Sequence, residues 1–405
     1  MTRSKQSVLT INGGSSSIKF ALYQIANPTV RTLRGQIERI GSPGTQLTFS
    51  VDSQGQQGRS AVALTESDSV VDFLLDWLET QIGFASIQAV GHRVVHGMEH
   101  TQPEIVTQAL LDELHGLCEL DPDHLPRELE LIEAIQRRYP QLPQVACFDT
   151  AFHHPLPAVA RQLPIPRRFS ALGVQRYGFH GLSYAYLMQT LEQLGGRRAA
   201  RGRVILAHLG NGASLAAVND GRSIDTTMGF TPTGGLMMGT RPGDLDPGVA
   251  WYMIEKEGLT PGQFNHLINH ECGLLGMSET SADMRDLLEC EAVDERAAAA
   301  IALFCYQIKK GIGAYAAALG GLDTLVFAGG IGEQAPAVRA RICAELEFLG
   351  IEIDAASNGH NAEVISRNTS RVVVRVMQSD EELMIATYVC RILGLPHKQE
   401  NEYGK

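Results

Sequence analysis

The sequence predicts an α/β protein that is built from two similar domains. Three observations lead to this prediction. Apolar, β-branched runs end in glycine turns, amphipathic helical patterns alternate with these runs, and one hairpin pattern occurs twice along the chain. Strands that alternate with helices are typical of α/β folds. The length of 405 residues is that of two or three domains.

The repeated pattern is an apolar run, a polar residue, a glycine turn and a second apolar run. Asn12 precedes Gly13–Gly14 in the first copy, and His208 precedes Gly210–Gly212 in the second, nearly half the chain later. Each copy predicts a β-hairpin with a turn of small residues. The repeat therefore indicates a duplicated domain. Coincidence is the alternative, since hairpins are common.

Glycine is abundant, and much of it follows predicted strands. The chain has 41 glycines, about 10% against about 7% in ordinary chains. A third apolar run, Leu325–Phe327, also leads into Gly329–Gly330. A buried strand that ends in a glycine turn can present backbone N–H groups to a phosphate. Tight turns that need a positive φ are the alternative for any single site, but three such turns in one chain favour phosphate binding.

Apolar residues at spacings of three and four predict several helices. The clearest are Val70–Leu78, Arg296–Leu319 and Leu383–Leu393, and the last ends at Gly394. Four prolines between His153 and Arg168 are unfavourable for a regular helix or a central strand. A domain boundary is therefore expected just after residue 149.

The composition excludes several classes of protein. The chain has 34 Lys and Arg residues against 45 Asp and Glu residues, a formal net charge of −11, which argues against binding nucleic acid or an anionic membrane. The longest apolar stretches are about ten residues, roughly half a membrane span, and no signal peptide is predicted. Seven scattered cysteines without a C-x-x-C motif predict reduced thiols and a cytoplasmic location.

Four titratable residues stand in unusual surroundings. Arg93 lies inside an apolar strand pattern, Arg241 lies in a Gly/Pro loop, and Asp149 and His180 lie beside aromatic residues. Structural salt bridges or satisfied core groups would explain each of them alone. Arginine also suits phosphoryl transfer, because its planar guanidinium binds phosphoryl oxygens. Neither a P-loop nor a dinucleotide-binding glycine motif is present.

Nine segments in order along the chain resemble the acetate kinase family. They are residues 12–20, 91–97, 148–153, 176–181, 208–214, 225–247, 281–286, 327–333 and 381–386. The resemblance implies the superfamily of acetate and sugar kinases, heat-shock ATPases and actin. Its members have two duplicated ribonuclease-H-like (actin-like ATPase) domains with a nucleotide cleft between them. The implied domains are residues 1–150, completed by a C-terminal helix within 385–405, and residues 151–384.

The resemblance also implies roles for matching positions. The implied catalytic residues are Asp149, His180, Arg241 and Arg93. The implied acid-binding residues are Arg93, Val95, His124, Phe179 and Pro232. The implied ATP-binding residues are Lys19, His208, Leu209, Gly210, Asn211, Gly212, Asp283, Met284, Arg285, Gly330, Ile331, Gly332, Glu333 and Gln334, and Ser16 shares a turn with Lys19. Asn12 and Glu381 are the implied metal ligands, although Ser379 and Glu382 would also make a capping box at this point.

The activity implied by the resemblance is reversible, ATP-dependent phosphorylation of acetate to acetyl phosphate. The carboxylate acceptor is already ionised at pH 7, so direct in-line transfer needs no strong general base. ATP or ADP is the implied nucleotide, Mg²⁺ (or Mn²⁺) the implied cofactor and a homodimer the implied assembly. A propionate kinase and a non-catalytic nucleotide-binding scaffold on the same fold are the alternatives.

Some positions depart from the family pattern. Asp123 stands where the family has Leu near the methyl group of the acid, so either its side chain turns away from the acid or the substrate preference differs. Leu182 and Tyr184 replace Thr and His, Gln334 replaces Asn, and Asp380 replaces Asn. These departures concern the choice of acid more than the type of reaction.

Overall fold

Two units make up the chain in the computed structural model, which describes residues 6–14, 17–41, 44–52, 55–62, 69–82 and 84–396. The first unit comprises Met1–Ala151 together with Asp380–Lys405, and the second comprises Phe152–Ser379. Ser16 lies outside the described residues, as do residues 397–405 of the segment expected to complete the first domain.

Strands and helices are numbered here in chain order. The strands are β1 (Ser7–Gly13), β2 (Ser17–Gln24), β3 (Asn27–Glu38), β4 (Gln46–Val51), β5 (Gln56–Ala61), β6 (Ile87–Val94), β7 (Glu104–Ile105), β8 (Gln144–Phe148), β9 (Arg203–Leu209), β10 (Ala213–Asn219), β11 (Arg222–Thr226), β12 (Thr324–Ala328) and β13 (Val373–Val376). The helices are α1 (Val70–Ile82), α2 (Gln108–His115), α3 (Leu125–Arg138), α4 (Ala158–Arg161), α5 (Arg167–Ser170), α6 (Gly181–Arg201), α7 (Pro247–Glu257), α8 (Pro261–His270), α9 (Gly273–Ser278), α10 (Met284–Cys290), α11 (Glu295–Ala318), α12 (Gly329–Gln334), α13 (Pro336–Cys343), α14 (Ala355–Gly359) and α15 (Glu381–Ile392).

The sheet of the first unit has the order β5-β4-β3-β2-β1-β6-β8-β7. Strands β1, β2 and β3 form an antiparallel meander, whereas β6 runs parallel to β1 and β8 runs parallel to β6. Helix α15 packs on this sheet so closely that a Cβ on Gly91 would lie 2.4 Å from Ile385 Cγ2 and 2.6 Å from Val389 Cγ2. Gly91 is therefore required by the approach of the helix rather than by backbone strain.

The sheet of the second unit has the order β11-β10-β9-β12-β13. Strands β9, β10 and β11 form an antiparallel meander, and β12 and β13 continue the sheet in parallel with β9. This arrangement repeats β3-β2-β1-β6-β8 of the first unit, strand for strand and direction for direction. The repeated order is the ribonuclease-H-like topology, so the predicted α/β fold with two duplicated units is confirmed.

The three helices predicted most clearly from the sequence are present as α1, α11 and α15. Helix α11 begins one residue earlier than predicted, because the Asp294 side chain accepts hydrogen bonds from the first free N–H groups. Asp380 likewise caps α15, which begins at Glu381, two residues before the predicted Leu383. In the proline-rich segment, Pro157 and Pro166 precede only the one-turn helices α4 and α5.

Buried apolar side chains from these elements form the core of each unit. In the first unit, β1 is buried along its whole length, and α1 contributes its apolar face. In the second unit, β12 is buried along its whole length and β9 along most of it, and α11 contributes a buried face that includes Ile301, Phe304 and Ile308. Over the described ranges, no helix is both long and apolar enough to cross a bilayer.

Candidate active site

In the first unit, the polar end of β1 meets the beginning of α15. The buried Asn12 donates hydrogen bonds from Nδ2 to Glu381 Oε2 at 2.9 Å and to Glu382 Oε1 at 3.3 Å. Burial raises the pKa of Glu382, although the charge of Lys19 partly opposes this rise. Lys19 lies directly across the hairpin from Asn12. Since Asp380 caps α15, both glutamates remain available to face Asn12.

Arg93, near the end of β6, is held between two buried carboxylates. Its Nε and Nη2 donate to Asp149 Oδ2 at 3.1 and 2.8 Å, and its Nη1 donates to Glu128 Oε1 at 3.0 Å and to the Gly13 carbonyl at 3.2 Å. Burial alone would lower the pKa of Arg93, but the charges of Asp149, Glu128 and Glu381 raise it above its ordinary value. The guanidinium is therefore charged and fixed in orientation.

Glu128 on α3 is a site residue that was not predicted from the sequence. It is fully buried, and its second oxygen, Oε2, accepts a hydrogen bond from the Val95 backbone N–H at 2.8 Å. Burial raises the pKa of its carboxyl group, and Arg93 and the Val95 N–H oppose this rise. A signal was present in the sequence, because Glu128 stands among Leu125, Leu129 and the other residues of the apolar face of α3.

His124 lies at the start of α3 and is oriented by a second carboxylate that was not predicted. Its Nδ1 donates to Asp121 Oδ1 at 2.8 Å, and its backbone N–H donates to the same oxygen at 3.2 Å. Burial alone would raise the pKa of Asp121, but the hydrogen bonds and charge of His124 hold it below the ordinary value. His124 and Glu128 are one helical turn apart and therefore share a face of α3.

In the second unit, His180 immediately precedes α6 in a left-handed backbone conformation, with φ of 59°. Its Nδ1 shares a hydrogen bond of 2.9 Å with the Ser214 hydroxyl group, which also contacts the Tyr184 hydroxyl group. A positive φ at a non-glycine residue is uncommon and concentrates at functional sites. Tyr184, which departs from the family pattern, therefore takes part in holding His180.

Two predicted residues of the second unit, Arg241 and His180, converge on Gly212. A Cβ on this glycine would lie 3.0 Å from Arg241 Nη2 and 3.1 Å from His180 Nε2. Arg241 is held by a hydrogen bond of 2.7 Å from Nη1 to the Pro232 carbonyl. The ring of His208 lies 4.3 Å from that of His180. Gly212 therefore leaves the space in which a guanidinium and an imidazole approach the backbone.

The turns after β9 and β12 lie side by side. A Cβ on Gly210 would be 3.9 Å from the Gly330 N, and Gly329 begins α12 with φ of 75°. The Gly329 N–H donates to Glu333 Oε1 at 3.0 Å. The buried Arg339 donates to the Gly332 carbonyl at 2.8 Å and to the Glu333 carbonyl at 3.0 Å, which fixes the end of α12. Both turns thus present backbone groups in a defined arrangement.

The predicted adenosine segment caps a helix. The Asp283 side chain precedes α10, accepts from the Arg285 N–H at 2.9 Å and pairs with the Arg285 guanidinium at 2.5 Å. Met284, which stands between these two residues in the sequence, is buried, whereas the Arg285 side chain is largely exposed. Asn211 accepts a hydrogen bond of 2.9 Å at its backbone carbonyl from Gly239 N.

The predicted residues fall into two groups. The first unit contains Asn12, Lys19, Arg93, Val95, His124, Asp149 and Glu381. The second unit contains Phe179, His180, His208, Leu209, Gly210, Asn211, Gly212, Pro232, Arg241, Asp283, Met284, Arg285, Gly330, Ile331, Gly332, Glu333 and Gln334. Phe179 is buried, and its carbonyl accepts from His153 Nε2 at 3.0 Å. The sequence gives no sign of the hydroxyl partners Ser183, which bonds His208, and Ser214, because small polar residues are common.

The sequence is similar to known proteins along nearly its whole length. The sequence model of the acetokinase family matches residues 7–387. An acetate kinase of Rhodopseudomonas palustris is 45% identical over 392 residues, which cover 95% of this chain and 98% of that protein. A propionate kinase of Citrobacter rodentium is 44% identical over 392 residues, with 95% and 96% covered.

A solved structure is similar along nearly the whole chain. The crystal structure of the Porphyromonas gingivalis acetate kinase matches with a TM-score of 0.85 and 38% identity, and the match covers 96% of this chain and 100% of that one. The family match alone spans far more than half of the sequence. The chain therefore belongs to the acetokinase family.

Proposed function

We propose that this protein transfers the γ-phosphoryl group of ATP to acetate, reversibly, and so forms acetyl phosphate and ADP. The bond between the γ-phosphorus and the ADP oxygen breaks as an acetate oxygen bonds to the phosphorus. The convergence of His180 and Arg241 on Gly212 is the observation that carries the proposal. Two such donors beside a glycine turn suit the oxygens of a transferring phosphoryl group.

In this proposal the first unit binds the acid. Arg93 offers a fixed guanidinium to the carboxylate, and Asp149 holds its orientation. His124 contributes a second polar contact. Val95, Phe179 and Pro232 are the residues proposed for the short acyl chain. Fixed orientation matters because two anions must be brought into line against their repulsion.

The second unit binds the nucleotide in the proposal. The turns 208–212 and 330–334 contact phosphates, and the N–H groups of the second turn begin α12. Lys19 is a further phosphate contact in this proposal. The segment 283–285 binds adenosine. Arg241 and His180 stabilise the charge that develops on the moving phosphoryl group.

The first unit would hold a divalent metal ion in this proposal. Glu381 and the neighbouring Glu382 supply carboxylate oxygens, which suit Mg²⁺ (or Mn²⁺), and Asn12, whose Nδ2 donates to both, would offer its amide oxygen. No cluster of three or more His, Cys, Asp or Glu side chains suited to a metal occurs in the described part of the chain. Mg²⁺ usually keeps water and substrate phosphates as ligands. When bound, the ion neutralises phosphate charge.

Trapping acyl phosphate with hydroxylamine tests the activity. Purified protein, ATP and Mg²⁺ are incubated with acids of two to four carbons, and the hydroxamate product is measured. Acetyl hydroxamate that depends on all components is the expected result. ATP binding without product from any acid would instead identify a non-catalytic nucleotide-binding protein.

Propionate is the second candidate substrate. The similar propionate kinase and the acidic Asp123, half-buried next to His124, both favour testing it. The ratio of kcat/KM for acetate to that for propionate is measured in the wild type and in Asp123→Leu. If Asp123 faces the acid, we expect Asp123→Leu to lower KM for both anions. An unchanged ratio and KM would show that this side chain points away.

We also propose a homodimer in the cytoplasm. Helices α7 and α8 contain no buried residue, and Trp251 and Tyr252 on α7 are 66% and 61% exposed. Aromatic residues left exposed on one helix are typical of an interface. Sedimentation of the wild type and of Trp251→Glu tests this, and a wild-type monomer would contradict it. The seven cysteines are all unpaired, as expected for a reducing compartment.

A further inference from the structure

The carboxylate of Glu128 connects three parts of the first unit. Its Oε1 accepts from Arg93 Nη1 at 3.0 Å, and its Oε2 accepts from the Val95 N–H at 2.8 Å. The glutamate side chain also lies against the end of β1, where a Cβ on Gly13 would be 3.5 Å from Glu128 Cγ. One side chain of α3 therefore contacts the predicted acid-binding arginine, the backbone of a predicted pocket residue and the first glycine turn.

Glu128 and Asp149 accept hydrogen bonds from different edges of the Arg93 guanidinium. Asp149 receives Nε and Nη2, whereas Glu128 and the Gly13 carbonyl receive Nη1. A guanidinium has five N–H donors, and these contacts use four of them. The remaining N–H, on Nη2, has no partner among the residues that the structure describes. These four hydrogen bonds thus leave one N–H of Arg93 for a ligand and set the direction in which that N–H points.

Burying a second carboxylate beside Arg93 costs folding free energy, which is understandable only if the orientation of the guanidinium matters. A buried carboxylate loses its hydration, and the Coulomb attraction to one cation only partly offsets this loss. A second carboxylate beside the same cation adds repulsion, because Asp149 already pairs with Arg93. Stability alone would be served as well by an apolar residue at this position. The arrangement is understandable if the direction of the Arg93 guanidinium and the position of Val95 must both be fixed.

We propose that Glu128 is the positioning residue of the acid site, which fixes the free donor of Arg93 and the backbone of Val95 through one carboxylate. Asp149 cannot replace it, because Asp149 contacts the opposite edge of the guanidinium. The inference rests on the proposed function, in which Arg93 binds the acid. In this proposal Glu128 affects acid binding through the positions of Arg93 and Val95 and does not itself contact the substrate.

Glu128→Gln tests the proposal, because the amide keeps the shape but can accept at only one of the two positions. We expect KM for acetate to rise and kcat to fall, each by about tenfold, with KM for ATP unchanged. Glu130→Gln is the matched control, since Glu130 is an exposed glutamate on the same helix that accepts a hydrogen bond from the Ser69 hydroxyl group. Both variants are checked by thermal unfolding. Glu128→Met, an apolar residue of similar length, replaces Glu128→Gln if that variant does not fold.

A double-mutant cycle separates positioning from general structural support. In an Arg93→Ala background, Glu128→Gln should cause no further loss of kcat/KM for acetate, because the group it positions is already absent. An additive loss would overturn the proposal, as would a Glu128→Gln enzyme with wild-type KM for acetate. If the wild type itself forms no acyl phosphate, the proposed function fails instead, so the two failures are distinguishable.

Discussion

The β1–β2 hairpin of the first unit and the β9–β10 hairpin of the second have the same construction but opposite chemistry. In each, the first strand is central and pairs with a parallel strand, β6 or β12. Asn12 faces Lys19 across one hairpin, and His208 faces Ser214 across the other. Asn12 then bonds to two carboxylates, whereas His208 bonds to the Ser183 hydroxyl group.

Under the proposed function, this difference lets a duplicated fold serve two ligands. The shared topology places a polar residue at the end of a buried central strand in both units. The elements that cover it determine the charge, because α15 brings carboxylates in one unit and β10 and α6 bring hydroxyls in the other. Carboxylates suit a cation, while histidine, arginine and backbone N–H groups suit an anion.

Removing the Arg241 guanidinium in the second unit should have the largest effect on kcat. Arg241→Ala should lower kcat by about 1,000-fold, close to 4 kcal/mol of barrier, since a donor at the transferring group is lost. Steady-state kinetics measures this loss. Arg201→Ala, which removes a surface arginine paired with Asp220, is the control. Near-wild-type kcat in Arg241→Ala would contradict the proposal that this unit binds the anionic phosphoryl group.

Neutralising the carboxylate side of the first unit should weaken metal use. Glu381→Gln should raise the Mg²⁺ concentration for half-maximal activity by up to about 100-fold, because a charged ligand becomes neutral. Titration of activity with Mg²⁺ measures this change. Asp72→Asn, at an exposed position in the first turn of α1, provides the control. An unaltered Mg²⁺ dependence would place the metal elsewhere.

Acid should destabilise both units by a similar mechanism. Burial lowers the pKa of His92 in the first unit and of His153 in the second to about 4. Between pH 6.5 and pH 4 the unfolded chain therefore binds more protons, so the free energy of unfolding falls as the pH falls.

The expected loss is about 2 kcal/mol for each histidine between pH 7 and pH 5. Urea unfolding at the two pH values measures it. His92→Asn should be less sensitive to acid than the wild type by one such contribution. Equal sensitivity would show that His92 is not the responsible group.

Filling the space at Gly212 should have the smallest effect. The added methyl group of Gly212→Ala would displace Arg241 Nη2 and His180 Nε2 by a few tenths of an ångström, and kcat should fall by about tenfold. Gly313→Ala in α11, where a Cβ meets nothing within 4 Å, is the matched substitution in the same unit. Equal kcat for the two variants would argue against close approach at Gly212.

The sequence predicts local features of this molecule better than distant ones. The hairpin at Asn12 and helix α11 follow from patterns within a few residues, so they are predictable. The contact between Asn12 and Glu381 is not visible as a pattern, and only the family resemblance joined the two residues. Glu128 was missed because its partner Arg93 lies on another element, although a charged residue on an apolar helix face marks it.

The contact between Asn12 and Glu381 spans 369 positions of sequence, which has a consequence for synthesis. A ribosome releases β1 long before α15. The nascent first unit therefore exposes the surface of β6 at Gly91, and Asn12 lacks its carboxylate partners, until nearly the whole chain has emerged. The second unit, whose strands are all contained in Phe152–Ser379, can fold before that moment. The first unit, which begins earlier in the chain, is thus completed after the second.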